Sequence, residues 1–128
     1  MNQPAKILLV DDDRVFVEAT KTVLESRYRV ITAYDGEEGL MKAREQKPDL
    51  ILLDIIMPAA NGFHVCNQLK KDPELAGIPV VILTSFARHG GETNIPIDPG
   101  LDLEAEGYMD KPISPEALLK QVGSLLGK

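Results

Sequence analysis

The residues that could do chemistry lie at the ends of short, strand-like stretches of the sequence. They are three adjacent carboxylates at Asp11, Asp12 and Asp13, a fourth carboxylate at Asp54, a hydroxyl at Thr84 and an amine at Lys111. Two unit charges about 4 Å apart repel by roughly 4 kcal/mol at an effective dielectric constant near 20, so the triplet would destabilise the fold if nothing neutralised it. The triplet therefore indicates a positively charged partner that binds there.

Five stretches have the length and composition of β-strands. Four are apolar runs rich in β-branched residues, and the fifth, directly before Lys111, is weaker: Lys6–Val10, Arg29–Ala33, Leu50–Leu53, Val80–Thr84 and Glu106–Asp110. They are too short to be buried helices. Because they lack regular polar alternation, they are typical of a parallel sheet that helices cover on both faces.

Helical patterns lie between the predicted strands. The first, over Val15–Ser26, has an apolar stripe, and Asp13 is a candidate for its N-cap. Further helix boundaries are indicated by Asp35 before Gly36, by Asn61, by Ser114 before Pro115, and by Gly127 at the end. Strands and helices thus alternate, which predicts a doubly wound, five-stranded parallel α/β fold. In such a fold, ligand sites lie at the carboxyl ends of the strands.

Length and composition limit the class of protein. The chain of 128 residues suffices for one domain and one core. A net charge of −6 argues against binding to nucleic acid or an anionic membrane, and favours cations and protein partners. No stretch is long and apolar enough to span a membrane. The single Cys66, predicted to be buried, fits a reducing compartment, so we expect the protein in the cytoplasm.

Four short motifs close predicted strands in a fixed order. They are "ILLVDDDR", "ILLDIIMP", "ILTS" and "YMDKP". Together they resemble the receiver domain of two-component response regulators over essentially the whole chain: an acidic pair, a phosphoacceptor strand, a hydroxyl position, and a lysine with an aromatic residue three positions earlier. Each motif alone is weak, but four in this order are specific. The resemblance implies a flavodoxin-like receiver fold.

The resemblance also implies a phosphoacceptor site with a metal ion. Asp54 would attack the phosphoryl group of a phosphohistidine, on a histidine kinase or a histidine phosphotransfer protein, and become an aspartyl phosphate. Asp12, Asp54 and the backbone carbonyl of Ile56 would bind Mg²⁺ directly, and Asp11 would act through a water. A hard cation of this kind prefers oxygen ligands and typically uses one or two carboxylates.

Further roles follow from the same resemblance. Lys111 would neutralise the phosphoryl oxygens, and Thr84 would donate a hydrogen bond to one of them. Movement of Thr84 would let the ring of Tyr108 turn inward and change a surface that binds a downstream protein target. Tyr108 equally fits a core aromatic that never moves. The bulky side chains of Ile56 and Phe86 would flank the path of the hydrolytic water and slow loss of the phosphoryl group.

The sequence departs from the family between the fourth and fifth strands. Five of the fourteen residues from Ala87 to Gly100 are Gly or Pro, where the family normally has a helix. Such a stretch cannot hold a regular helix. We therefore predict that this helix is short, displaced or partly melted, with Leu101–Glu106 forming about one turn.

Three functions of different classes compete. The favoured one is a stand-alone signalling module: a single receiver domain over residues 1–128, with no output domain, that promotes its own phosphorylation and dephosphorylation and acts on no metabolite. The second is an interaction module that keeps the fold without phosphorylation. The third is an aspartate-nucleophile phosphatase of the haloacid-dehalogenase type. That class places its nucleophile after the first strand and usually carries a cap domain, for which the chain is too short.

Overall fold

The computed structural model of the chain describes residues 4–54, 62–84, 105–111 and 113–127, without the side chains of residues 62, 63 and 84. In chain order the elements are β1 (Lys6–Val10), α1 (Arg14–Leu24), β2 (Arg29–Ala33), α2 (Gly36–Gln46), β3 (Leu50–Asp54), α3 (Gly62–Lys71), β4 (Val80–Thr84), β5 (Gly107–Asp110) and α4 (Pro115–Leu125). Alternation of strands and helices is confirmed. Residues 87–100, for which the sequence predicts a disrupted helix, lie outside the described residues.

The five strands form one parallel sheet in the order β2-β1-β3-β4-β5. The chain leaves β1 towards β2 on one side and then crosses to β3 on the other, so the strand order reverses between β1 and β3. In the register, Val10 pairs with Leu53, Asp54 with Leu83, and Thr84 with Asp110. The carboxyl ends of four strands are therefore nearly level, and the predicted doubly wound fold is confirmed.

The two faces of the sheet form two apolar clusters. On one face of the sheet, alternate residues of the strands pack under α2 and α3, with Ala43, Val65, Cys66 and Leu69 among the buried side chains. On the opposite face, the intervening strand residues pack under α1 and α4, against Val17, Leu24, Leu118 and Val122. All five residues of β3 are buried, as expected for a central parallel strand covered on both faces. Cys66 is a buried core residue, as predicted.

The helix starts follow from side-chain caps that the sequence predicted. Asp13 accepts a hydrogen bond from the backbone N–H of Phe16 at 3.1 Å, Asp35 from that of Glu38 at 2.8 Å, and Ser114 from that of Ala117 at 3.1 Å. These bonds satisfy N–H groups that a first helical turn leaves without a partner. Gly127 has a φ of 79° just beyond α4, which suits a glycine stop.

Two details differ from, or lie beyond, the sequence predictions. Helix α1 ends at Leu24 rather than Ser26, because the Leu24 carbonyl accepts bonds from Arg27 and Tyr28 in a closing turn. The N-cap role predicted for Asn61 lies outside the described residues. No helix within the described ranges is long and apolar enough to cross a membrane.

Candidate functional site

Three carboxylates meet at the carboxyl edge of the sheet where the strand order reverses. Asp11 follows β1 and Asp54 ends β3, and these strands are neighbours in the sheet. One carboxylate oxygen from each of Asp11, Asp12 and Asp54 lies within 4.8 Å of the other two. Asp11 and Asp54 are almost fully buried, at 0% and 3% exposure, whereas Asp12 faces solvent. The predicted acidic cluster therefore exists, with one open side.

The third acidic residue of the triplet has a different role. Asp13 caps α1, as the sequence indicated. Its backbone N–H donates a hydrogen bond to Oδ1 of Asp11 at 2.9 Å, and the backbone N–H of Asp11 donates to the carbonyl of Ala33 at 3.0 Å. The first bond holds one oxygen of the Asp11 carboxylate, and the second fixes the Asp11 backbone. Its second oxygen, Oδ2, then faces the cluster.

Lys111 supplies a positive charge inside this cluster. It follows β5, and its Nζ atom lies 2.5 Å from Oδ2 of Asp11 and 3.4 Å from Oδ2 of Asp54. The lysine side chain is only 6% exposed. Short bonds between buried opposite charges are strong, and burying either charge alone would be costly. The Lys111 ammonium of the chain itself thus supplies part of the neutralising positive charge that the sequence analysis attributed to a bound metal.

Phe16 is a site residue that the sequence analysis missed. It was assigned to the apolar stripe of α1, and it does pack against the core cluster beneath α1 and α4. The Lys111 ammonium, however, also lies over its ring, 4.2 Å from the centroid, within the range of a cation–π interaction. A signal was available, since Phe16 lies in the first turn of the helix that starts at the acidic cluster.

Of the remaining predicted site residues, the structure describes only the backbone of Thr84 and the whole of Tyr108. Thr84 ends β4, beside the strand that carries Asp54, and nothing is described of its side chain. Ile56 and Phe86 lie outside the described residues. Tyr108 lies on β5 and is 57% exposed, so the core-aromatic alternative is wrong. The Tyr108 side chain lines a groove of about 640 Å³ between β5 and α4.

Comparison with known proteins places these residues in a family. The family model described as "Response regulator receiver domain" matches residues 7–123. The alkaline phosphatase synthesis transcriptional regulatory protein PhoP of Bacillus subtilis is 41% identical over 122 residues, which are 94% of this chain and 48% of PhoP. Protein PilH of Pseudomonas aeruginosa is 37% identical over 123 residues, which are 95% of this chain and 98% of PilH.

A solved structure agrees with the fold. The chemotaxis response regulator CheY4 of Vibrio cholerae is 29% identical to this chain and superposes with a TM-score of 0.82, covering 96% of this chain and 99% of that one. The chain thus spans about half the length of PhoP and nearly all of PilH.

Proposed function

Since this chain belongs to the response regulator receiver domains, as the order of its motifs indicated, we propose that it accepts a phosphoryl group on Asp54 in a Mg²⁺-dependent reaction. One observation carries the proposal. Asp54 is a buried carboxylate at the sheet edge, with Asp11 and Asp12 inside 4.8 Å and the Lys111 ammonium at 3.4 Å. That set combines an acceptor oxygen, cation ligands and a fixed positive charge.

The donor set fits a hard divalent cation. All three acidic side chains offer carboxylate oxygens, which Mg²⁺ prefers, and the exposed Asp12 leaves a side open for the waters that Mg²⁺ usually retains. Three carboxylates outnumber one ammonium, so formal negative charge remains for a cation to neutralise. Asp11, Asp12, Asp54 and the backbone carbonyl of Ile56 would hold the ion. When bound, it would neutralise charge on the phosphoryl oxygens.

The side chains of this chain then have separate tasks. An oxygen of Asp54 forms a bond to phosphorus while the phosphorus–nitrogen bond of a phosphohistidine breaks, and the imidazole nitrogen keeps the electron pair. Lys111 lies close enough to meet the charge on the transferred group, and Thr84 donates a hydrogen bond to it. The product is an aspartyl phosphate. Positioning and charge compensation, rather than proton transfer, carry the reaction.

The partners proposed are proteins. A histidine kinase or histidine phosphotransfer protein supplies the phosphoryl group in the cytoplasm, and a downstream protein reads the result. The exposed Tyr108 and the groove beside it provide a surface that inward movement of its ring would change.

The lifetime of the phosphorylated form is proposed to be long. Ile56 and Phe86 are bulky and apolar, and side chains at these positions flank the water path in the family. A polar residue would help to orient the hydrolytic water. The variant Ile56→Asn should therefore lose its phosphoryl group faster than the wild type after the donor is removed, and an unchanged rate would contradict this role.

The central test measures covalent phosphorylation directly. The protein is incubated with Mg²⁺ and acetyl phosphate, and its intact mass is recorded beside those of Asp54→Asn and Asp35→Asn. The wild type and Asp35→Asn should gain one phosphoryl group, because Asn preserves the N-cap at position 35, and Asp54→Asn should gain none. No gain in the wild type would favour the interaction module, and a gain in Asp54→Asn would place the acceptor elsewhere.

A further inference from the structure

We propose that Phe16 is a positioning residue that holds the Lys111 ammonium at the phosphoacceptor site through the face of its ring, an inference that rests on the proposed function. Among the described residues, the ammonium contacts three groups: Asp11 at 2.5 Å, Asp54 at 3.4 Å and the centroid of the Phe16 ring at 4.2 Å. Two of these partners also belong to the proposed metal and acceptor site. The ring does not.

Lys111 and a bound cation would compete for the same carboxylates, so Lys111 needs a further partner. Asp11 and Asp54 are the partners of Lys111 and also members of the cluster that fits a cation. A carboxylate oxygen that binds a cation can no longer hold the ammonium of Lys111. The four-carbon side chain of the lysine has many alternative conformations, so it could then move away from the site. An aromatic face still attracts an ammonium but does not compete with carboxylates for a hard, hydrated cation. Phe16 therefore gives Lys111 a partner that persists.

The position of the ring is itself constrained by the fold. The backbone N–H of Phe16 donates to the Asp13 side chain at 3.1 Å, which fixes the first turn of α1. The side chain is partly buried against the core cluster under α1 and α4. A further carboxylate in place of the ring would bind the ammonium more strongly but would repel the incoming phosphoryl oxygens. A neutral ring holds Lys111 without adding a full negative charge.

The first test follows the electronic character of the ring. Fluorinated phenylalanines at position 16 weaken the ring's attraction for cations stepwise while changing its size little. At saturating Mg²⁺ and acetyl phosphate, the phosphorylation rate should fall in steps with fluorination, and Phe16→Leu should lower it by roughly three- to tenfold, the range of a partly desolvated cation–π contact. A flat series, or a fall in Phe16→Leu alone, would show that only shape matters and would overturn the proposal.

Two matched variants isolate the Lys111 contact. Tyr34 carries a second cation–π pair, with Arg14 Cζ 4.2 Å from its ring centroid, and Tyr34→Leu should leave the rate unchanged. In a Lys111→Met background, Phe16→Leu should cause no further loss, because the residue that it positions is gone. An additive loss in the double variant would show that Phe16 acts on the site in some other way.

A second readout needs neither metal nor phosphoryl donor. In the metal-free protein, the Lys111 side-chain protons near the ring face should show upfield ring-current shifts by NMR, and these shifts should vanish in Phe16→Leu. Their absence in the wild type would overturn the contact itself. A wild type that shows the shifts but takes up no phosphoryl group would instead contradict the proposed function, so the two failures can be distinguished.

Discussion

At the scale of single residues, Lys111 neutralises part of the negative charge that the acidic cluster brings together at the edge of the sheet. Its ammonium bonds to Asp11 and approaches Asp54, and all three side chains are almost fully buried. Among the described residues, no buried side-chain nitrogen or oxygen lacks a hydrogen-bond partner. The same ammonium opposes a second cation. Lys111 should therefore stabilise the fold when no metal is bound and weaken the proposed binding of Mg²⁺.

Replacing Lys111 with Met separates these two effects. In EDTA, Lys111→Met should lower the free energy of unfolding by about 3 kcal/mol, because two buried carboxylates lose the ammonium that lies beside them. Its affinity for Mg²⁺ should rise about tenfold or more, since a unit charge about 4 Å away opposes a divalent cation by roughly 2 kcal/mol even in bulk water. Urea denaturation and calorimetric titration measure the two quantities.

The control for this variant is Lys120→Met, which removes the same charge from an exposed position on α4. Its unfolding free energy should change by less than about 0.5 kcal/mol, and its Mg²⁺ affinity should stay near that of the wild type. Equal Mg²⁺ affinities in Lys111→Met and the wild type would contradict competition between the lysine and the metal.

At the scale of elements, strand β5 is short and lies at the edge of the sheet, yet it must deliver Lys111 to the site. The opposite end of the strand is tied down by Glu106. Its carboxylate accepts bonds from Lys70 Nζ at 2.9 and 3.1 Å and from the backbone N–H of Val80 at 2.7 Å. Lys70 is only 8% exposed. This contact, buried on the Lys70 side and exposed on the Glu106 side, anchors β5 to α3 and β4.

Removing the Glu106 carboxylate should therefore cost more than removing a typical surface charge. Glu106→Ala leaves Lys70 and the Val80 N–H without this acceptor and should lower the free energy of unfolding by about 1–2 kcal/mol. The matched control is Glu74→Ala, whose carboxylate lies 3.9 Å from Lys47 in an exposed pair. That pair should contribute less than about 0.5 kcal/mol. Similar losses in urea denaturation would argue against the anchor.

Helix α2 approaches β1 so closely that a glycine is required at Gly39. A Cβ atom there would lie 2.9 and 3.0 Å from the two Cγ atoms of Val10. Gly39→Ala should therefore destabilise the protein by about 1 kcal/mol, because overpacking of about 1–3 kcal/mol exceeds the gain of about 1 kcal/mol in helix propensity. Gly77→Ala is the control, since a Cβ at Gly77 meets nothing within 4 Å. Greater stability of Gly39→Ala in urea would contradict this packing.

At the scale of the whole molecule, the sheet and its two apolar clusters should suffice for folding without a metal. Mg²⁺ should then act as a ligand of the native state and raise the unfolding free energy by about 2.7 kcal/mol at a concentration one hundred times its Kd. Thermal melts in EDTA should remain cooperative, and Asp12→Asn should reduce the Mg²⁺-dependent rise in Tm. A wild-type Tm that does not respond to Mg²⁺ would contradict the metal site.

The sequence by itself determined the elements and their caps. Apolar runs predicted the strands, and Asp13, Asp35 and Ser114 predicted three helix starts that the structure confirms. These features depend on neighbouring residues, because periodicity and capping act within a turn or two of chain. The positions of Asp11 and Asp54 at one edge also followed, since all parallel strands end on the same side.

Only the tertiary structure decided which side chains touch within the site. Lys111 bonds to a carboxylate 100 residues away and approaches another 57 residues away. It also lies over Phe16, and Tyr108 is exposed rather than buried. Such contacts depend on strand order, on register and on the direction of each side chain from its helix or strand. No local pattern carries that information, because the same residue types at the same spacing fit several of these arrangements.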